Sequence, residues 1–418
     1  MDRFLEFVAD VADGTTWLFR GRGDSYVDLE TSDHRIFRDT SGRESAVPTH
    51  TLVRPNGTLM TLMRVRGAQT VVGDYEIEAF ADKISSAMST PMKAAGHTIE
   101  IVFRRDVDFL KRDLEETLAP ARRTAKRLNM DVDWIIDAKR DTLMNWCSAE
   151  DAWIAISTDY GIFSTAEIKQ AGRDRNDEID KNPLGKQGMN MAGPPSSMRA
   201  SHLAMVESIR DGLSQARIDL EVLDAHEALR VIRREFDPEA TSLHWKPLLP
   251  GDPIPARVSV TEAEDDLSSV LYPPLRTQLI PRAPGKVQRN RWIEVGDRLH
   301  APMVMSMPPQ TPLPFDAFMR PLINSDTPFR ISITLSAGGL AEVSAVKRLI
   351  ASLTGFFSKP NRQFSAAFKE LEERVVQGDT VVGMRVVADT WAKADEPEVL
   401  RNRAEYLNKA IQSWGQCD

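Results

Sequence analysis

Apolar positions recur along this chain at two periods, three-to-four and two, and the switches between them outline its elements. Residues 1 to 12 place Phe4, Phe7, Val8 and Val11 on one face of a short amphipathic helix. Residues 13–50 are polar and punctuated by glycine. Thr51-Leu52-Val53 then meets Asn56-Gly57, a pair that favours a two-residue hairpin turn, and Thr58 to Val65 reads as the returning strand. Asp74 is placed to cap a helix carrying Ile77, Phe80, Ile84 and Met88. Gly96 closes that helix, and His97 to Phe103 is a strand. Residues 51–105 therefore form a β-β-α-β unit.

Helical spacing resumes at Val107, Leu110, Leu114, Leu118 and Ala121, and a second helix is predicted over 132–146. One strand, Ala152 to Ser157, interrupts the helices, and the polar stretch 172–196 reads as a loop. From Ser197 to Phe236 a single long helix is expected. Val206, Ile209, Leu213, Ala216, Leu220 and Leu223 keep an a/d alternation until Glu227 and Arg230 break the seam. Packing antiparallel on the 107–121 helix is the expected use of that face. An oligomerisation coiled coil is the alternative, and it usually needs three or four full heptads. Sixteen of the 25 prolines fall between 237 and 330, which excludes long helices there. Ala301, Met303, Met305 and Met307 share one side of a predicted strand. Regularity returns with a strand from Phe329 to Leu335 and a helix carrying Leu340 to Phe357. A second helix carries Phe364 to Val375, a strand runs from Thr380 to Val387, and a helix from Glu396 to Trp414 follows.

The pattern predicts an α/β (α+β) fold of two small mixed sheets with packed helices. Its segments are an N-terminal helix and irregular stretch (1–50), the β-β-α-β unit (51–105) and a helical insertion with one strand (106–236). A Pro-rich extended connector (237–326) and a β-α-α-β-α unit (327–418) follow.

Composition and charge then narrow the function classes. Fifty-three Lys and Arg against 61 Asp and Glu give a net charge of −8, which argues against wholesale nucleic-acid coating. Cys147 and Cys417 are the only cysteines, too few for a disulfide scaffold or a structural zinc site. No apolar run reaches the roughly 18 residues of a membrane span. Asp2, Arg3, Glu6 and Asp10 interrupt any signal-peptide core, so a cytoplasmic location is expected.

Candidate chemistry is sparse. No Walker A loop occurs, and Gly185-Lys186 is its nearest fragment. Histidines 34, 50, 97, 202, 226, 244 and 300 include no i, i+4 pair to share a metal. Ser344-Ala-Val-Lys347 matches S-x-x-K in isolation, without the companion motifs of a serine enzyme. No catalytic, cofactor-binding or metal residue is assigned. Arg122, Arg123, Lys126 and Arg127 form a basic helix patch, suited to acidic lipid headgroups or a phosphate backbone. The competing explanation is a solvated helix C-terminus, where cations favour the macrodipole. On its residues alone the chain reads as a scaffold or binding unit.

An ordered series of segments resembles one family. It begins with Tyr26-Val-Asp-Leu-Glu-Thr-Ser-Asp33, Asn56-Gly57-Thr58-Leu59, Arg64-Val-Arg-Gly67 and Gly96-His97. It continues through Trp245-x-Pro247, Leu249-Pro-Gly-Asp252, Gly296-Asp-Arg298, Pro308-Pro309 with Phe315, and Phe329-Arg-Ile-Ser332. It ends with Thr390-Trp-Ala392, Leu400-Arg401 and Ile411-Gln-Ser-Trp-Gly-Gln-Cys417. In this order the segments resemble the N-terminal region of the conjugation and type IV secretion ATPases, in the IcmB branch (also called DotO, or TraU in plasmid systems).

The resemblance implies a docking and assembly module that attaches the motor to inner-membrane channel proteins and to neighbouring ATPase subunits or copies of itself. It implies a cytoplasmic protein, peripheral at the inner membrane of a bacterium. It also implies that ATP and Mg belong to a catalytic domain absent from this chain, so no P-loop domain and no cofactor are expected here. Phe4 and Phe7, with Arg122, Arg123, Lys126 and Arg127, are the candidate membrane or partner contacts. A stand-alone structural or adaptor protein of the same apparatus is the alternative. A second alternative is a nucleic-acid-binding transfer protein using Arg104, Arg105, Arg122, Arg123 and Lys126, although direct nucleic-acid binding is not the expectation for this region.

Overall fold

The computed structural model describes residues 36–38, 44–46, 50–54, 57–69, 73, 77–89, 91–107, 109–164, 166–170, 173, 196–236, 241, 245–249, 278–279, 285, 287–288, 291–307, 316–338, 359–377, 380–414 and 416–417. The expectations placed on residues 1–12 with Phe4 and Phe7, on Asp74, on nearly all of the 172–196 loop, and on the helix from Leu340 to Phe357 lie outside these residues.

In chain order the strands are β1 (Ile36–Arg38), β2 (Glu44–Ala46), β3 (Leu52–Val53), β4 (Leu59–Ala68), β5 (His97–Arg105), β6 (Glu150–Thr158), β7 (Ile218–Val222) and β8 (Val287–Gln288). They continue as β9 (Trp292–Val295), β10 (Arg298–His300), β11 (Met303–Met307), β12 (Phe329–Ala337), β13 (Val382–Asp389), β14 (Trp391–Lys393) and β15 (Gln416–Cys417). The helices are α1 (Ile77–Ser89), α2 (Leu110–Arg127), α3 (Asp133–Trp146), α4 (Ser196–Gln215), α5 (Ala225–Phe236), α6 (Asp316–Ile323), α7 (Lys359–Val376) and α8 (Pro397–Gln412). The fold is mixed α and β, as the periodicities predict, and every pairing with a described register is antiparallel.

Contacts gather the chain into two units. One holds Met1–Leu62, Ser157–Val206 and Val222–Arg282, and the other holds Met63–Ile156, Glu207–Glu221 and Ala283–Asp418. The division falls inside β4, β6 and α4.

The larger unit is built on the pairing of β5 with β12, from Phe329 opposite Arg105 to Ser336 opposite Thr98. β12 pairs on its other edge with β13, from Arg330 opposite Asp389 to Ala337 opposite Val382. The sheet runs β15-β11-β13-β12-β5-β6-β4, and β7 pairs with β4. Strand residues from the β-β-α-β and β-α-α-β-α segments thus share one sheet. Phe329, Ile331, Val386 and Ala388 pack with Phe318 and Leu322 of α6 and with Leu407, Ala410 and Ile411 of α8. The buried positions of α8, Leu400, Leu407, Ala410 and Ile411, recur at helical spacing, and Pro397 stands in its first turn, where a missing N–H costs nothing. A second, four-stranded sheet has the order β14-β10-β9-β8. Leu299, Ala301, Ala392 and Leu400 form its apolar cluster.

The smaller unit contains the β3–β4 hairpin and a cluster of Val53, Leu59 and Met198. His202 is fully buried there. Its Nε2 meets the Thr61 hydroxyl at 2.9 Å and its Nδ1 meets the Thr158 hydroxyl at 2.9 Å. A neutral imidazole donates from one nitrogen and accepts at the other, which suits one hydroxyl in each role.

Three local expectations are corrected. The hairpin connection is longer than two residues, because the Arg54 amide donates to the Thr58 carbonyl at 2.8 Å and leaves three residues between them. Gly57 adopts φ +82° and its amide donates to the Arg54 carbonyl, the backbone freedom glycine supplies in such loops. The single helix expected from Ser197 to Phe236 is two helices, α4 and α5, with strand β7 between them. Ile218-Asp-Leu-Glu-Val222 alternates at period two and pairs with β4, and Arg217 at φ +62° ends the helical path. The Gln69 amide donates to the Arg217 carbonyl at 2.8 Å, and Glu221 pairs with Arg66 at 2.8 Å. Leu220 and Leu223 had extended the heptad count only by coincidence. Finally, the helical partner of α2 is α3, so the antiparallel pairing expected with the 197–236 helix is replaced.

Two arginines and one aspartate are buried together at the end of β5. Arg104 Nη2 donates to Asp106 Oδ2 at 2.8 Å, and Arg298 Nη1 donates to the same oxygen at 3.2 Å. Both guanidinium groups lie over the Trp391 ring, at 5.2 and 5.9 Å. Removing one member of a buried ionic cluster strands the others in a low-dielectric site. Asp106→Asn should therefore lower the unfolding free energy by about 3–5 kcal/mol. A urea denaturation midpoint equal to that of the parent would contradict a structural role for this carboxylate.

Candidate functional site

The basic patch lies on the last two turns of α2, and the structure divides it. Arg122 points across the helical hairpin at α3, where it donates to Asp137 Oδ1 at 2.7 Å and approaches Asp133 at 3.6 Å and Glu115 at 3.8 Å. Arg140 on α3 completes the network, with Glu115 at 2.8 Å, Asp137 at 3.1 Å and Asp141 at 2.8 Å. Arg122 therefore holds α2 against α3. Arg123, Lys126 and Arg127 are exposed, share one face at i, i+3 and i+4, and make no ion pair among the described residues.

The helical path of α2 ends at a turn with a left-handed residue, Asn129 at φ +52°. The Leu128 and Met130 amides donate to the Thr124 and Ala125 carbonyls, satisfying helix-end acceptors. Leu128 is 58% exposed and Met130 54%. On the first turn of α3, Trp134 is 67% exposed and Ile135 48%, while Ile136 is buried. Lys126 and Arg127 suit the negative end of the helix dipole, so the macrodipole accounts for cations here. It does not account for four large apolar side chains in water within nine residues of them. Their exposure, close together in sequence, makes them the candidate interaction surface.

Sequence reasoning found the cations and missed Leu128, Met130, Trp134 and Ile135. The available signal was Trp134-Ile135-Ile136, three consecutive apolar residues of which one helix face can bury only part. Of the other proposed contacts, Arg104 and Arg105 are not brought together with the patch. Phe4 and Phe7 lie outside the described residues. Arg104 is buried in the Asp106 cluster, and Arg105 is mostly buried, bonded to the Ser148 hydroxyl at 2.9 Å with Glu150 at 3.7 Å. Neither presents its charge to a phosphate backbone.

The larger unit holds one arrangement with the form of acid–base chemistry. His300 Nδ1 and Asp389 Oδ2 are 2.7 Å apart, beside the Trp391 ring. Nucleophilic catalysis needs a hydroxyl or thiol on the other ring nitrogen. His300 Nε2 is buried and has no hydrogen-bond partner among the described residues, so the dyad lacks that third member there. Among the described residues no group of three His, Cys, Asp or Glu side chains is placed to hold a metal ion. No helix among them is long and apolar enough to cross a membrane.

No family model matches the sequence, and no curated protein matches it. Several of the ordered segments named in the sequence fall among the described residues. Three of these, Gly296–Arg298, Phe329–Ser332 and Thr390–Ala392, lie in or beside strands of the larger unit, and Arg298 and Trp391 meet in its buried cluster.

The hydrogen bond from Arg122, followed by the nearby charges of Arg122 and Arg140, holds the Asp137 carboxyl below its ordinary pKa. A depressed carboxyl stabilises the folded state above its unfolded pKa, near 4, and loses that contribution as pH falls through the folded value. Asp137→Asn should therefore flatten the acid limb of a melting-temperature profile below about pH 4 and lower stability at neutral pH. An acid limb unchanged by the substitution would separate Asp137 from the stability of the hairpin.

Proposed function

We propose that this chain is the N-terminal docking and assembly region of a type IV secretion or conjugative transfer ATPase, attaching the motor to inner-membrane channel components. The observation that carries this reading is the turn between α2 and α3, where apolar side chains and unpaired cations are offered together. A module whose task is attachment needs such a surface and needs no nucleophile. The ordered segments from Tyr26 to Cys417 support the family. The Arg122–Asp137 network supports the role, because it stiffens the hairpin that presents the surface.

On this reading the partners are inner-membrane channel proteins, other ATPase subunits and copies of the chain itself. The working location is the cytoplasmic side of a bacterial inner membrane. ATP and Mg belong to the nucleotide-binding domain of the whole motor.

Two measurements test the proposal. An antibody against this region should recover, from the source cell, a polypeptide with a Walker A peptide together with inner-membrane channel proteins. A recovered polypeptide of 46.8 kDa without a nucleotide motif would move the stand-alone adaptor ahead. Reversing the charge of Arg123, Lys126 and Arg127 together should reduce the recovery of channel proteins several-fold, since electrostatic complementarity governs encounter with a charged partner. Unchanged recovery would remove this surface from the docking role.

A further inference from the structure

The turn between α2 and α3 has a chemistry more specific than docking in general. We infer that it is a lipid-reading tip: Leu128, Met130, Trp134 and Ile135 enter the headgroup boundary of an anionic bilayer while Arg123, Lys126 and Arg127 meet its phosphates. The inference rests on the docking reading and gives that surface its ligand.

Four observations favour a lipid surface over a protein groove. The apolar side chains sit at the turn end of a helical hairpin, on the C-terminal end of α2, the turn and the first turn of α3. Residues at the tip of a hairpin can enter a deformable plane without a preformed pocket. Trp134 is a two-sided ring with an apolar body and a polar N–H, the side chain that collects at membrane–water boundaries. The cations stand next to the apolar residues in sequence and are the only charges of α2's last two turns besides Arg122, which is paired. Asp131 is exposed on the turn, which leaves the tip with a net positive charge, and Asp133 faces Arg122 at 3.6 Å. Apolar insertion and electrostatic attraction thus point the same way, as interfacial binding to an anionic leaflet requires.

The same helix supplies an internal control. Trp146 is also exposed, at the far end of α3, about 18 Å along the axis from Trp134 at 1.5 Å per residue. A tip seated in the headgroup region does not engage it.

Flotation of the purified full chain with phosphatidylcholine vesicles, with and without phosphatidylglycerol, tests the inference. Binding is expected only to the anionic vesicles and should fall with added salt. Neutralising each of Arg123, Lys126 and Arg127 to Gln should lower partitioning roughly fivefold, and the triple variant roughly a hundredfold. Trp134→Ser with Ile135→Ser should lower it roughly tenfold or more, and Trp146→Ser should leave it unchanged. All six positions are solvent-facing, so matched circular dichroism and melting temperatures verify folding. Equal binding to neutral vesicles, no binding at all, or an equal loss from Trp146→Ser would overturn the inference. Failure to float while channel proteins still co-purify would sink the lipid tip and leave the docking reading standing. Flotation by a chain that recovers no channel protein would do the reverse.

Discussion

The antiparallel pairing of β5 with β12 is the contact on which the larger unit depends. It joins residues about 230 positions apart, and the loop-closure entropy of that span must be overcome before any bond rewards it. The return comes from continuity. β12 is bonded along both edges, so its backbone groups are satisfied between β5 and β13, and its buried side chains meet α6 and α8. The Asp106 cluster sits immediately after β5, drawing Arg298 from the neighbouring four-stranded sheet onto the same carboxylate that holds Arg104. Two cations, one anion and an indole face make a site that tolerates little rearrangement, because each charge depends on the others for its solvation.

The helical hairpin shows a different economy. Its charges are mostly exposed and networked, individually weak and collectively directional. Arg122 and Arg140 share Glu115 and Asp137 between them, which aligns α2 with α3. Leu128, Met130, Trp134 and Ile135 are exposed at the turn, while Leu118, Ala125 and Ile136 are buried. Large apolar side chains in water beside a charge-paired hairpin depart from the usual amphipathic arrangement, in which such residues face the interior.

Much of the fold was legible in periodicity. α1, α2, α3, α7 and α8 fall where three-to-four spacing placed them, and β5, β6, β12 and β13 fall where apolar runs met glycine or charge. The 197–236 stretch failed for a definite reason. Leu220 and Leu223 fit a heptad, whereas Ile218, Leu220 and Val222 fit a strand equally well, and pairing with β4 decided between two readings of the same residues. Part of the candidate site was legible as well. The four cations of α2 could be counted, but Arg122 is indistinguishable from Arg123 until α3 places Asp137 within 2.7 Å of one and not the other.

The amino-acid sequence by itself determined the element types, the mixed α and β class, and a stretch of helix richer in cations than its neighbours. These follow from local spacing and residue chemistry, which act over a few residues. Tertiary structure alone decided which strands became neighbours, which arginines were buried with a counter-ion, and which apolar residues remained in water. Those outcomes depend on contacts between separate elements, from 15 positions apart at Arg122–Asp137 to more than 200 at β5–β12, where burial, and not local preference, sets the energy of each side chain.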